Sequence, residues 1–287
     1  MRSNLKRRIR TLLFGGVFFF LFFIFLGNVP CVEGVGVRTK KENPFGWERL
    51  ASYATYFNEK EGGRAGNIAI AAALIDGVTI QPYGEFSFNA TVGRRTAEAG
   101  FQDAKIIVNG EYVQGVGGGV CQVSTTLYNA ALLSGLTVTE FHPHSLSVAY
   151  VSPSRDAMVS SHSDLKLYNP SANAVHLNAT ALGGEIRVSF YGKRNGFRYA
   201  ISTAVLGEIP PPSPIVKDGE CESVLRAERK GVRSESYLEM YKGAQLLSRK
   251  RLRVDEYRPI QGIIVKKVPV ATNKIASNAC VFTEKML

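Results

Sequence analysis

Residues 115–135 read GVGGGVCQVSTTLYNAALLSG, and this stretch decides how the rest of the chain is organised. Gly115, Gly117, Gly118 and Gly119 precede a single cysteine, Cys121. Beyond it, apolar residues fall at Val123, Leu127, Ala130 and Ala131, and Leu132 and Leu133 close the run before Gly135. That spacing predicts a helix that begins near Cys121 and stops at Gly135. A thiol where a glycine loop becomes a helix sits in a polarising place. The helix N-terminus carries partial positive charge and favours thiolate over thiol. Its first turn leaves backbone N–H groups without helical partners, and such donors can hold an oxyanion beside an attacking sulfur. Gly117, Gly118 and Gly119 let backbone and substrate approach closely, and with Gln122 they form the expected oxyanion and substrate loop.

A thiol nucleophile needs a base. The chain has four histidines, and His142 and His144 follow Cys121 by about twenty residues, where a returning strand can bring them back beside the helix start. Alternating strand geometry puts both on one face unless Pro143 intervenes. Asp156 follows and could orient the imidazole as the third member of a triad. His162 and His176 read as surface or packing residues. The competing reading makes Cys121 a small residue in a tight turn, since cysteine is among the most often buried residue types.

The chain has 287 residues, 45% of them hydrophobic and 21% charged, and a formal net charge of +11. Disorder is not the default at that composition. Residues 11–29, TLLFGGVFFFLFFIFLGNV, carry no charge and follow Arg2, Lys6, Arg7, Arg8 and Arg10. The run is just long enough to span a bilayer. The preceding cations place the N-terminus in the cytoplasm and the rest outside. A secretory signal peptide looks similar, but the run is long for one, so an uncleaved single-pass anchor is expected. Past residue 34, 30 basic and 23 acidic side chains remain. A basic exterior suits anionic lipid or wall polymer, and the membrane segment argues against nucleic acid. A simple solubility role explains the excess equally well.

The four cysteines are Cys31, Cys121, Cys221 and Cys280. Cys221 and Cys280 could pair in an oxidising exterior, which leaves Cys121 as a free thiol; Cys31 reads as incidental. No spacing suggests a metal site, and no cofactor is expected. The expected order is a basic tail at 1–10, an anchor at 11–29, a linker at 30–45, a main domain at 46–200, a proline-rich linker at 201–219 and a small β module at 220–287. The fold class is α+β, a mixed helix and antiparallel-sheet domain with a C-terminal all-β module after one transmembrane helix. Helices are predicted over 47–58, over 66–75 with Gly77 as its stop, and after Cys121. Strands are predicted over 78–80, 85–88, 104–108, 111–114, 136–141, 146–151, 165–168, 175–181, 185–191, 234–241, 246–254 and 260–268. Asn109-Gly110 is a strong hairpin turn.

Phe86-Ser-Phe-Asn89, the GVGGGVCQVSTTLYNAAL run, and His144-Ser-Leu-Ser-Val-Ala-Tyr-Val151 with Asp156-Ala157 resemble the VanW domain family, and Arg64 and Asn67 fit that pattern. The resemblance covers about residues 46–195. The C-terminal segment is similar, more weakly, to a wall-associated β module called the G-five domain. The family resemblance implies a Gram-positive-type envelope and a link to vancomycin-resistance gene clusters. It also implies L,D-transpeptidase-like chemistry on peptidoglycan stem peptides, with the nucleophile role falling on Cys121 and the base role on His144. Tyr83-Gly84-Glu85 and Ser152-Pro153-Ser154 depart from the family's usual loops and leave both residues intact. The remaining readings are a cysteine peptidase of the same stems and a non-catalytic protein bound to cell-wall polymers.

Overall fold

The helix expected after Cys121 and the hairpin before it are both present in the computed structural model, which describes residues 47–108 and 110–267. Strand β1 (Glu48–Tyr56) is followed by helix α1 (Gly62–Ile75), β2 (Thr79–Ile80), β3 (Glu85–Ser87) and the short α2 (Phe88–Val92). Next come β4 (Asp103–Val108), β5 (Glu111–Val116), α3 (Val120–Leu133), β6 (Thr137–Glu140), β7 (Lys166–Tyr168), β8 (Val175–Leu182) and β9 (Glu185–Gly192). The C-terminal part contributes β10 (Arg198–Ile209), β11 (Ile215–Gly219), β12 (Ser223–Arg226), β13 (Gly231–Lys242), β14 (Gln245–Tyr257) and β15 (Ile263–Lys267). The architecture is strand-rich α+β. Its sheets run β1-β9-β8-β2, β3-β7-β6, β4-β5, β10-β13-β14 and β11-β15-β12. All pairings are antiparallel except β11 with β15.

Two predicted elements are corrected. Within residues 47–58, where the spacing suggested a helix, Glu48–Tyr56 form a strand. Strand β9 supplies the reason, because it pairs with β1 from Glu48↔Gly192 to Tyr56↔Glu185, and sheet pairing overrides a weak local period. Residues 146–151 form no strand. They belong to an irregular connection between β6 and β7 that is held from both sides, as described below. The stretch read as a proline-rich linker carries β10, which pairs along its length with β13.

The core gathers around α1 and α3. Ile68, Ala71, Ala72 and Ile75 of α1 meet Val123, Leu127, Ala130 and Ala131 of α3, with Leu177, Ile186, Val188 and Phe190 of β8 and β9. Gly135, at φ +79°, closes α3: its N–H donates to Leu132 O and that of Leu136 to Ala131 O. This left-handed stop is the one its glycine predicts. Among the described residues no helix is long and apolar enough to cross a membrane. The anchor expected over 11–29, the linker over 30–45, Cys31, Cys280 and Asn109 lie outside the described residues. Cys221 is disulfide-bonded.

Candidate active site

Helix α3 is enclosed on nearly every side. Over residues 120–132 every residue is buried except Cys121, which is half-buried. Cys121 at the start of the helix and Leu133 at its end are its only half-buried residues. Gly119 caps the helix at φ +104°, and a Cβ there would lie 2.9 Å from Arg64 Cγ and 3.0 Å from Arg64 O. A Cβ on Gly118 would lie 2.6 Å from Lys105 O. The loop backbone is thus laid directly on α1 and β4, at distances no side chain permits. The buried Asn67 of α1 pins it, donating to Gly118 O (2.9 Å) and Gln102 O (2.8 Å) and accepting from the Gln102 N–H (2.8 Å).

Gln122 departs from its expected place in the substrate loop. Its side chain turns inward, accepting from Arg64 Nη2 (2.5 Å) and donating to Thr55 Oγ1 (3.0 Å) and Tyr56 O (2.9 Å). Its own N–H donates to Gly119 O (2.9 Å). Gln122 therefore ties α3 to α1 and β1, because a buried amide must satisfy its polar atoms against the protein.

Cys121, His144 and Asp156 come together in a line. The Cys121 thiol donates to Val159 O (3.4 Å), and the His144 imidazole stands beside the sulfur. His144 is buried; its Nδ1 lies 2.6 Å from Asp156 Oδ2, and its backbone N–H donates to the same oxygen (2.7 Å). The occupied Nδ1 leaves Nε2 to face the sulfur. Burial opposes ionisation of the Cys121 thiol, but the hydrogen bond and charge of His144, a backbone hydrogen bond at Val159 and the Arg95 cation together hold it below its ordinary value. Burial likewise opposes protonation of His144, and Asp156 with Cys121 overcomes it, raising the imidazole to about 9. Asp156 falls to about 2, against its own burial, through His144, Arg253 and Tyr257. Magnitudes rank the influences on the sulfur: a helix terminus is worth about 0.3–1 kcal/mol, and a hydrogen bond to a charged group about 1.5–3 kcal/mol. The imidazolium therefore outweighs the helix start.

His142 goes elsewhere. Its Nε2 lies 3.1 Å from Glu140 Oε1, and its carbonyl accepts from the Met158 N–H. The shared strand face expected for His142 and His144 does not exist, because β6 ends at Glu140 and Pro143 lies in the irregular segment that follows.

Several residues at the site carried no recognisable motif. Arg95 approaches Cys121 with its guanidinium; one arm donates to Asn89 Oδ1 (2.5 Å) and the stem packs beside Gly117. Tyr150 stands near Cys121 and Thr125; burial and the neighbouring sulfur keep its hydroxyl protonated. On the far side, Arg253 and Tyr257 of β14 both donate to Asp156 Oδ1, Arg253 at 2.6 Å. Their sequence signal was a reversed alternation: Arg253, Asp255 and Tyr257 are buried, whereas Val254 between them is exposed. Among the described residues no group of three or more His, Cys, Asp or Glu side chains is placed to hold a metal ion.

Residues 63–191 match the family described as VanW like protein. The chain is 41% identical over 145 residues to the Bacillus subtilis protein YoaR, a match covering 50% of this chain and 48% of that protein. It is 31% identical over 78 residues to the Vancomycin B-type resistance protein VanW of Enterococcus faecalis, covering 27% of this chain and 28% of that protein. The chain thus spans about half, or less, of the length of these curated relatives. One solved structure, the crystal structure of HP0197-G5, is 12% identical and covers 24% of this chain and 96% of its own, at a TM-score of 0.15. That score is too low to bear on the fold.

Proposed function

We propose that this chain, whose residues 63–191 are a VanW-like domain, is a membrane-held cell-envelope enzyme that transfers acyl groups from peptidoglycan stem peptides through Cys121. The observation that carries the reading is the Cys121–His144–Asp156 grouping at the N-terminal end of α3. The relative named for vancomycin resistance supports an envelope setting, and the apolar run at 11–29 supports the anchor.

The Cys121 thiolate attacks the carbonyl carbon before a terminal D-amino acid, and a C–S bond forms. The tetrahedral oxygen takes hydrogen bonds from loop N–H groups. Those of Gly117, Val120 and Gln122 are already spent on Gln102 O, Gly117 O and Gly119 O, so Gly118, Gly119 and Cys121 supply them. The C–N bond then breaks, and His144 Nε2 gives its proton to the departing amine. An amine of a neighbouring stem attacks the thioester, returns a proton to His144 and releases the thiolate with a new cross-link. Arg95 offers a cation to a substrate carboxylate at the mouth of the site.

A packing role for Cys121 leaves the arrangement unexplained. Replacing buried ionic groups by apolar ones is often neutral or stabilising, so stability alone does not account for a thiol, an imidazole and a carboxylate grouped together. The test incubates the full chain with tetrapeptide-bearing muropeptides. Mass spectrometry should find an acyl adduct on Cys121, release of the terminal D-amino acid and cross-linked product, all absent in Cys121→Ala. Hydrolysed stems without cross-links would assign water as acceptor. Undiminished turnover by Cys121→Ala would remove the proposal.

A further inference from the structure

We infer that the β13–β14 hairpin, which lies outside the residues matched to the VanW family, is part of the catalytic unit: Arg253 and Tyr257 are positioning residues that aim Asp156 at His144, and Asp255 keeps the charge of Asp156 available. The inference rests on the acyl-transfer reading of Cys121.

His144 and Asp156 both lie in the irregular connection between β6 and β7. Such a segment cannot hold two groups in line by its own backbone ladder, so its shape comes from what grips it. From one side α3 grips it: Asn129 Nδ2 donates to Arg155 O (2.8 Å), the Ala157 N–H donates to Thr125 Oγ1 (3.0 Å), and Ser124 Oγ donates to Ala157 O (2.6 Å). From the other side the hairpin and its end grip it. The Arg258 N–H donates to Ser145 O (2.8 Å), the Ser154 N–H donates to Tyr257 Oη (2.7 Å), Ser154 Oγ pairs with Ser234 Oγ (2.8 Å), and Arg253 Nη1 donates to Asp156 O (2.6 Å). These contacts fall beside both His144 and Asp156.

The carboxylate itself is saturated. Asp156 Oδ2 takes the Nδ1 and the backbone N–H of His144, and Oδ1 takes Arg253 and Tyr257. With two donors on each oxygen it can neither rotate nor take up a proton without breaking a bond. An arginine so placed would by itself cancel the charge that stabilises the imidazolium. Asp255 prevents this: its Oδ2 accepts from Arg253 Nε at 2.6 Å, so two carboxylates and one guanidinium leave one negative charge for His144. The other titratable groups around this line are Tyr128 of α3, which stays neutral, and Tyr150 and Arg95 on the Cys121 side. Phe141 and Tyr128 cover the guanidinium face, with ring centroids 5.1 and 5.8 Å from Arg253 Cζ.

The experiment measures iodoacetamide labelling of Cys121 against pH in the full chain, read at that residue by mass spectrometry, with thermal unfolding run alongside. Tyr257→Phe, Asp255→Asn and Arg253→Lys are compared with Tyr237→Phe on the opposite face of the hairpin. Tyr257→Phe and Asp255→Asn should raise the labelling midpoint by about one pH unit, which makes labelling roughly tenfold slower at pH values below the wild-type midpoint. Tyr237→Phe should match the wild type. A purely structural role would lower the unfolding temperature and leave the midpoint in place. Folded Tyr257→Phe and Asp255→Asn proteins with the wild-type midpoint would overturn the inference while acyl transfer stands. A wild-type midpoint at that of a free thiol, about 8.5, would overturn acyl transfer and this inference together.

Discussion

At the scale of single residues, the site works by setting two ordinary pKa values against each other. Cys121 is held below its usual value and His144 is raised to about 9, so the thiolate–imidazolium pair occupies the window between them. Turnover should rise as Cys121 ionises on the acid side and fall as pH rises through about 9, where His144 loses the proton it gives to the leaving amine. His144→Gln should flatten this profile and shift Cys121 labelling to the range of a free thiol. His142→Gln should leave both unchanged, because His142 pairs with Glu140. Equal effects of the two substitutions, measured as labelling rate against pH, would mean that the imidazole beside the sulfur has been misassigned.

At the scale of elements, the glycine loop and α3 form one device. Gly119 has a positive φ, and an added Cβ would lie 2.9 Å from Arg64 Cγ and 3.0 Å from Arg64 O and Ile68 Cγ1, closer than van der Waals contact. Gly119→Ala should therefore destabilise by more than about 1 kcal/mol, as alanine does at a positive φ, because Arg64 O cannot move without shifting α1. The measurable result is a lower urea midpoint with an unchanged m-value, together with slower Cys121 labelling as the helix start tilts. An unchanged midpoint would show that the loop relaxes freely. The reversed alternation of β14 belongs to this scale too: Val254 faces out so that Arg253, Asp255 and Tyr257 can face Asp156.

At the scale of the whole molecule, the buried charges couple the site to folding. Asp156 sits at about 2 in the fold, against an unfolded value near ~3.9. Its contribution, on the order of 2–3 kcal/mol, is complete above about pH 4 and is lost as pH falls toward 2. His144 runs the other way: its contribution is complete below its unfolded value near ~6.5 and is lost as pH rises through about 9. Asp156→Asn should remove the acid-side dependence, seen by circular dichroism as a flatter stability curve between pH 2 and about 4. Superimposable acid transitions for the two proteins would show that Asp156 titrates normally in the fold.

Local chemistry was enough to mark the helix after Cys121, its glycine stop and most strands on either side; it offered His142 and His144 alike beside Cys121, and the family resemblance pointed to His144. Helix period, turn residues and the thiol's place at a helix start are encoded within a few neighbouring positions. Tertiary structure alone decided that Glu48–Tyr56 form a strand, that His142 turns to Glu140, that Gln122 is a buried tie and that a hairpin about a hundred residues away holds Asp156. Each of those depends on a partner distant in the chain, and a buried polar group reveals its role only when the group that satisfies it is known.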